Sequence, residues 1–81
     1  MTLEKDLDQE IIRWKQRLEQ KRKKIILLDE TKPDFLKNID SYISDANHFY
    51  NKKDLIRAFE AVVWTWAWIE IGEKLEILGT S

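Results

Sequence analysis

The sequence has no cysteine, which excludes a disulfide framework, a thiolate metal site and a cysteine nucleophile. It has only two glycines and one proline in 81 residues. An all-β or loop-rich fold needs far more turn-forming residues than that, so the scarcity points to long helices. Net charge is nearly absent: 14 basic against 15 acidic side chains leave −1, and no global attraction to nucleic acid or anionic lipid follows. Long hydrophobic runs are missing too. The longest uncharged apolar stretch, 61–69, is nine residues, against the roughly 20 needed to span a bilayer. The first turns carry Glu4, Lys5, Asp6 and Asp8, unlike a signal peptide. A soluble, cytoplasmic chain with no membrane partner is expected.

What the chain has is charge and helical periodicity. Charged residues make up 36%, above the usual quarter, as long solvated helix faces require. In the first segment Leu7, Ile11, Trp14, Leu18, Ile25 and Leu28 follow heptad-like spacing, interrupted only by Lys21. One long amphipathic helix over 3–28, partnered along its length, is predicted. The run Ile25 to Leu28 is expected to bring it back into the core. Pro33 cannot continue a helix, so the chain restarts there, with Thr31 as the expected cap and Asp34 as its acidic partner. The second helix, 33–51, carries Phe35, Leu36, Ile39, Tyr42, Ile43, Ala46, Phe49 and Tyr50 on one broad face. A short polar turn and a capping Asp54 then force an antiparallel hairpin.

The third helix, 54–78, is apolar on two sides of a wheel drawn at about 100° per residue. Leu55, Ala58, Phe59, Val62, Trp66 and Ile69 form one stripe; Ala61, Trp64, Trp68, Ile71, Leu75 and Leu78 form a second. Gly79 is the expected C-terminal cap, and Thr80 and Ser81 a frayed end. The expected fold is all-α and one domain over 1–81: an antiparallel up-and-down three-helix bundle with the last helix central.

Chemistry-bearing residues are few. Asp45 and His48, three apart on one helix face, have the offset of a carboxylate–histidine pair in di-metal bundles. Those sites need two such pairs and further inward glutamates, and the sequence has one histidine; a solvated helix surface explains the pair. Glu70, Glu73 and Glu76 form an acidic ridge with no implied cleft to raise a pKa. No phosphate loop, nucleophile elbow or zinc signature occurs. The chain is therefore expected not to be an enzyme, with no cofactor, metal or small-molecule substrate.

Two binding surfaces can be named. Trp64, Trp68, Ile71, Leu75 and Leu78 make an aromatic stripe too large to hide easily in so small a chain. Either helix one covers it or it is an interface, with a homodimer as the commonest form and another protein partner as the alternative. Lys15, Arg17, Lys21, Arg22, Lys23 and Lys24 concentrate positive charge on helix one and form a candidate face for nucleic acid. The interleaved Glu19 and the balanced total charge oppose it.

Two resemblances follow from residues 46–68. Ala46, Tyr50, the turn ending in Asp54, and Ala58 resemble a single tetratricopeptide-like helical hairpin, although Lys53 stands where glycine is usual in those repeats. More broadly, the chain resembles a family of short archaeal proteins known as a domain of unknown function. The resemblance rests on a long charged helix, a proline-started helix, Tyr50 followed by Asp54, Leu55, Arg57, Ala58, Glu60 and Ala61, and the tryptophan-rich run to Gly72. It implies a three-helix up-and-down bundle and an archaeal cytoplasmic setting, and it brings no catalytic residue, ligand or partner.

Overall fold

The computed structural model describes residues 2–81. Helix α1 spans Leu3–Lys24. Thr2 caps it by accepting from the Lys5 amide at 3.2 Å. Glu4 and Asp6 lie in its first turn and Lys21 to Lys24 in its last, the order that the helix dipole favours. Helix α2 spans Asp34–Asn51 and α3 spans Leu55–Lys74, with the Asp54 carboxylate accepting from the Arg57 amide at 3.3 Å as its N-terminal cap. Helix α1 runs parallel to α3, since Trp14 meets Trp66 and Lys21 meets Glu73. Helix α2 runs the other way, bringing Asp40 to Arg22 and Tyr50 to Lys15. This is the up-and-down three-helix bundle that the periodicity predicts, with α3 between the other two.

Both ends of the bundle's upper rim differ from the expected helices. Helix α1 stops at Lys24, and Ile25–Leu27 form strand β1. Helix α3 stops at Lys74, and Leu78–Thr80 form strand β2. The strands pair antiparallel, with Ile25 opposite Thr80, Ile26 opposite Gly79 and Leu27 opposite Leu78. The Ser81 amide extends the ladder by donating to the Lys24 carbonyl at 2.7 Å. Residues 25–28 therefore do not continue the helical stripe: Ile25 and Leu27 turn inward while Ile26 and Leu28 are exposed. A run of β-branched and leucine side chains suits a half-buried strand better than one more helical turn with apolar groups on every side. Gly79 is a strand residue and not a cap, and Thr80 and Ser81 are hydrogen-bonded and not frayed.

The caps were displaced for a local reason. Two helices end in Schellman motifs whose left-handed residue is not glycine. At the end of α2, Lys53 has φ 63, its amide donates to the Tyr50 carbonyl and that of Asp54 to Phe49. At the end of α3, Glu76 has φ 57, its amide donates to Glu73 and that of Ile77 to Gly72. An L side chain in this region costs about 1 kcal/mol or more. Lys53→Gly and Glu76→Gly are each expected to stabilise the protein by about 0.5 kcal/mol, after glycine's greater chain entropy is subtracted. Urea denaturation midpoints check this, and a loss of stability at both positions would contradict the assignment. Thr31 likewise does not cap α2. Its amide and hydroxyl donate to the Asp29 carboxylate at 3.0 and 2.5 Å, which holds the Asp29 carboxyl below its ordinary pKa. Pro33 occupies the N-terminal cap position with no side-chain bond.

The core runs as a line inside a rod 45 × 18 × 17 Å. Its larger part joins Leu18, Ile25, Ile39, Ile69, Ile77 and Leu78, flanked by Phe35, Trp66 and Trp68; its smaller part joins Ala46, Ala61 and Val62, flanked by Trp14 and Trp66. Thr65 is buried in α3, and its hydroxyl donates to the Ala61 carbonyl at 2.7 Å, so its burial leaves no orphaned polar group. Lys21, which interrupts the stripe of α1, reaches Glu73 at 3.1 Å and Thr80 at 3.4 Å. It joins α1 to α3 and β2 where an apolar side chain would have met the acidic end of α3.

Candidate functional site

Helix α3 decides what the surface can do, because it is apolar nearly all round. Its buried side carries Ala58, Ala61, Val62, Thr65, Ile69 and Gly72. Packing then divides the second stripe. Leu78 is 2% exposed and lies in the core on β2, so it is not part of any outward face. Trp68 is half-buried, edge-on to Phe35 with ring centroids 5.0 Å apart. Trp64 is 57% exposed, and Ile71 and Leu75 are exposed beside it. Ile56 and Val63 join them in the open. On a wheel at about 100° per residue these two fall beside Ile71, on the side of the helix turned away from Ile69. They belong to neither four–three series of the sequence, yet a helix with so few polar positions must leave some apolar residues outside.

The outward face therefore comprises Ile56, Glu60, Val63, Trp64, Ala67, Ile71 and Lys74, with Leu75 at its end. A groove runs along each flank. One, about 530 Å³, lies between α1 and α3 and is lined mainly by Trp14, Phe59, Val62, Val63, Trp66 and Ala67. The other, about 310 Å³, lies between α2 and α3 and includes Tyr42, Phe49, Arg57, Glu60 and Trp64. Within the first, Trp14 and Trp66 meet edge-to-face at 6.1 Å. The Trp14 indole N–H donates to Glu10 at 3.1 Å, whereas the Trp66 indole nitrogen is buried without a partner among the described residues. α3 is thus a ridge between two shallow, mostly apolar troughs.

The basic residues of α1 are not brought together on one open face. Arg22 forms a two-point ion pair with Asp40, at 2.6 and 3.0 Å, and that carboxylate holds the guanidinium pKa above its ordinary value. Lys21 is engaged by Glu73. Lys15 lies over the Tyr50 ring at 4.5 Å and Arg17 over Trp14 at 4.8 Å. Lys23 and Lys24 are exposed. Tyr50 also has Asp8 beside it, which raises the pKa of its hydroxyl above the usual phenol value.

His48 and Asp45 are both exposed on α2, with His48 edge-on to Phe49 at 5.5 Å. Of the three glutamates, Glu73 is paired to Lys21, Glu70 borders the α1–α3 groove, and Glu76 sits in the turn after α3. Among the described residues no three His, Cys, Asp or Glu side chains converge as a metal site would need. No helix among them is long and apolar enough to cross a membrane.

The chain's similarities to other proteins reach the whole fold. No curated protein matches it. A crystal structure of protein AF1782 from Archaeoglobus fulgidus is similar to it at 45% sequence identity and a TM-score of 0.89, covering 99% of this chain and 100% of that one. The family model for proteins of unknown function called DUF357 matches residues 13–78, which include all of α2 and α3, and the Archaeoglobus protein is assigned to the same model. The chain belongs to the DUF357 family, whose function is unknown.

Proposed function

We propose that this protein is a non-enzymatic, cytoplasmic assembly module that binds protein through the outward face of α3. The observation that carries this reading is the exposure of Ile56, Val63, Trp64, Ile71 and Leu75 on one continuous side of a single helix. Isolated exposed apolar residues are ordinary, but a contiguous set with an aromatic at its middle is the composition of an association surface. The flanking grooves add shape for a partner's side chains. The nucleic-acid reading has less support, because four of the six cations it relies on are engaged within the fold.

The test is the mass of the native chain and of Trp64→Glu, measured by light scattering on purified protein and by native electrophoresis of extracts from the source cells. Trp64 is already exposed, so the variant is expected to keep its helix content and to lose no more than about 0.5 kcal/mol of stability. Its mass is expected to fall to that of the monomer where the native chain runs larger. A native chain that is monomeric in both settings would overturn the reading.

A further inference from the structure

We propose that the occupant of the α3 face is a second copy of this chain, with the two α3 helices packed antiparallel about a two-fold axis that passes beside Ala67. This rests on the assembly reading above and specifies its partner and register. The argument starts from the order of residues along the outward face. Ile56, Glu60, Val63, Ala67, Ile71 and Lys74 succeed one another in steps of three and four, the seam spacing of one helix laid along another. Two of these are charged, one of each sign, and both are exposed. Glu60 lies seven residues before Ala67 and Lys74 seven after it.

That symmetry is what a two-fold contact requires. In an isologous interface, if one residue meets a second, the second meets the first on the other side. With Ala67 at the axis, Glu60 of each copy falls level with Lys74 of the other, making two opposite-charge pairs at the ends of the contact. The same register places Trp64 of each copy, three residues before the axis, against Ile71 of the other, four residues after it. A two-fold that reverses helix direction keeps each side of the seam on its own side, so these two apolar pairs lie on one edge. Ala67 is the smallest side chain of the face, and it stands where the helix axes approach closest, about 8–10 Å apart. The paired length from residue 60 to 74 is about 22 Å at 1.5 Å per residue, within the 20-residue α3. A register moved by one heptad toward the N-terminus sets Glu60 against Ala67 and puts Lys74 level with residue 53, outside the second copy's α3. It wastes both charges.

The charges make the proposal testable without altering the apolar face. Glu60→Lys alone puts like charge at both ends of the dimer, and so does Lys74→Glu. Each is expected to weaken self-association of the purified chain at least about tenfold in sedimentation equilibrium. The double variant Glu60→Lys/Lys74→Glu is expected to recover native affinity to within about threefold. Mixing the two single variants should give a heterodimer in preference to either homodimer, because the mixture restores both pairs at once. Both residues are exposed, so folding is expected to be unchanged by circular dichroism. Independently, Ala67→Cys introduces the chain's only thiol. At the axis the two thiols come within disulfide reach, about 4–7 Å between Cα atoms, so mild oxidation should cross-link nearly all of the protein, whereas Lys37→Cys on α2 should stay unlinked.

Single variants that associate as tightly as the native chain, with Trp64→Glu still dissociating it, would overturn this register and leave the assembly reading standing. A purified native chain that is monomeric throughout would overturn the second copy as partner. A larger mass in cell extract, lost with Trp64→Glu, would then still uphold assembly with another protein.

Discussion

Replacing Leu78 with alanine is expected to cost about 3 kcal/mol, within the range of about 2–5 kcal/mol for buried leucines. Leu78 is 2% exposed; it pairs with Leu27 across the two-stranded ladder and covers Gly72 of α3. Removing its branched end opens a cavity at the point where β1, β2, α2 and α3 meet, and hydrogen-bonded strands on one side cannot collapse to fill it. For a chain of this length the midpoint of thermal unfolding should fall by more than about 10 °C. Leu75→Ala is the control. Leu75 is 63% exposed, and its truncation should change stability by no more than about 0.5 kcal/mol. Calorimetry of the two variants distinguishes a strand docked in the core from a helical end with both leucines on one face, for which the two losses would be similar.

Substitution at Gly72 is expected to be nearly as damaging, and with the sign opposite to the usual one. A glycine inside a helix is ordinarily improved by alanine by about 1 kcal/mol. Here a Cβ would lie 2.5 Å from Leu78 Cδ1, 2.8 Å from Leu78 Cγ and 3.1 Å from Phe35 Cε1. Neither neighbour can retreat easily. Leu78 is held by the strand pair, and Phe35 stands edge-on to Trp68. Gly72→Val, with two further methyl groups and a weak helix preference, should lose about 3 kcal/mol by overpacking. The cause can be isolated with a double-mutant cycle in urea. Leu78→Ala should cost clearly less in the Gly72→Val background than in the native one, because it makes room for the valine. Additive losses would mean that the two residues do not press on one another.

These two positions also mark where sequence pattern stops being informative. The three helices, their order and the hairpin between α2 and α3 were all legible, because each depends on side chains within a few residues of each other. Asp54 caps α3 through the amide three residues on, and the stripe of Ile11, Trp14 and Leu18 repeats within two turns. Pro33 forces a restart by its own ring. The apolar excess of α3 was legible as well, and with it the expectation that some of this helix stays outside.

Which side stays outside was decided by tertiary packing. Trp64, Trp66 and Trp68 are equally apolar in the sequence; Trp66 meets Trp14, Trp68 meets Phe35, and Trp64 meets solvent, because α1 and α2 approach α3 from two directions and leave the third open. The two-stranded ladder lay equally beyond local pattern. Its residues are separated by some fifty positions, so neither Ile25–Leu27 nor Leu78–Thr80 carries a sign of the other; alone, the first reads as the last turn of a helix and the second as a helix end, cap and frayed tail. The left-handed turn at Glu76 hid the true end of α3, since it lacks the glycine that marks such turns. By itself the sequence determined the helices, whose hydrogen bonds close within four residues. The strands, the partners of Lys21 and Arg22, and the outward face of α3 depend on contacts between distant residues, and only the folded chain could choose among them.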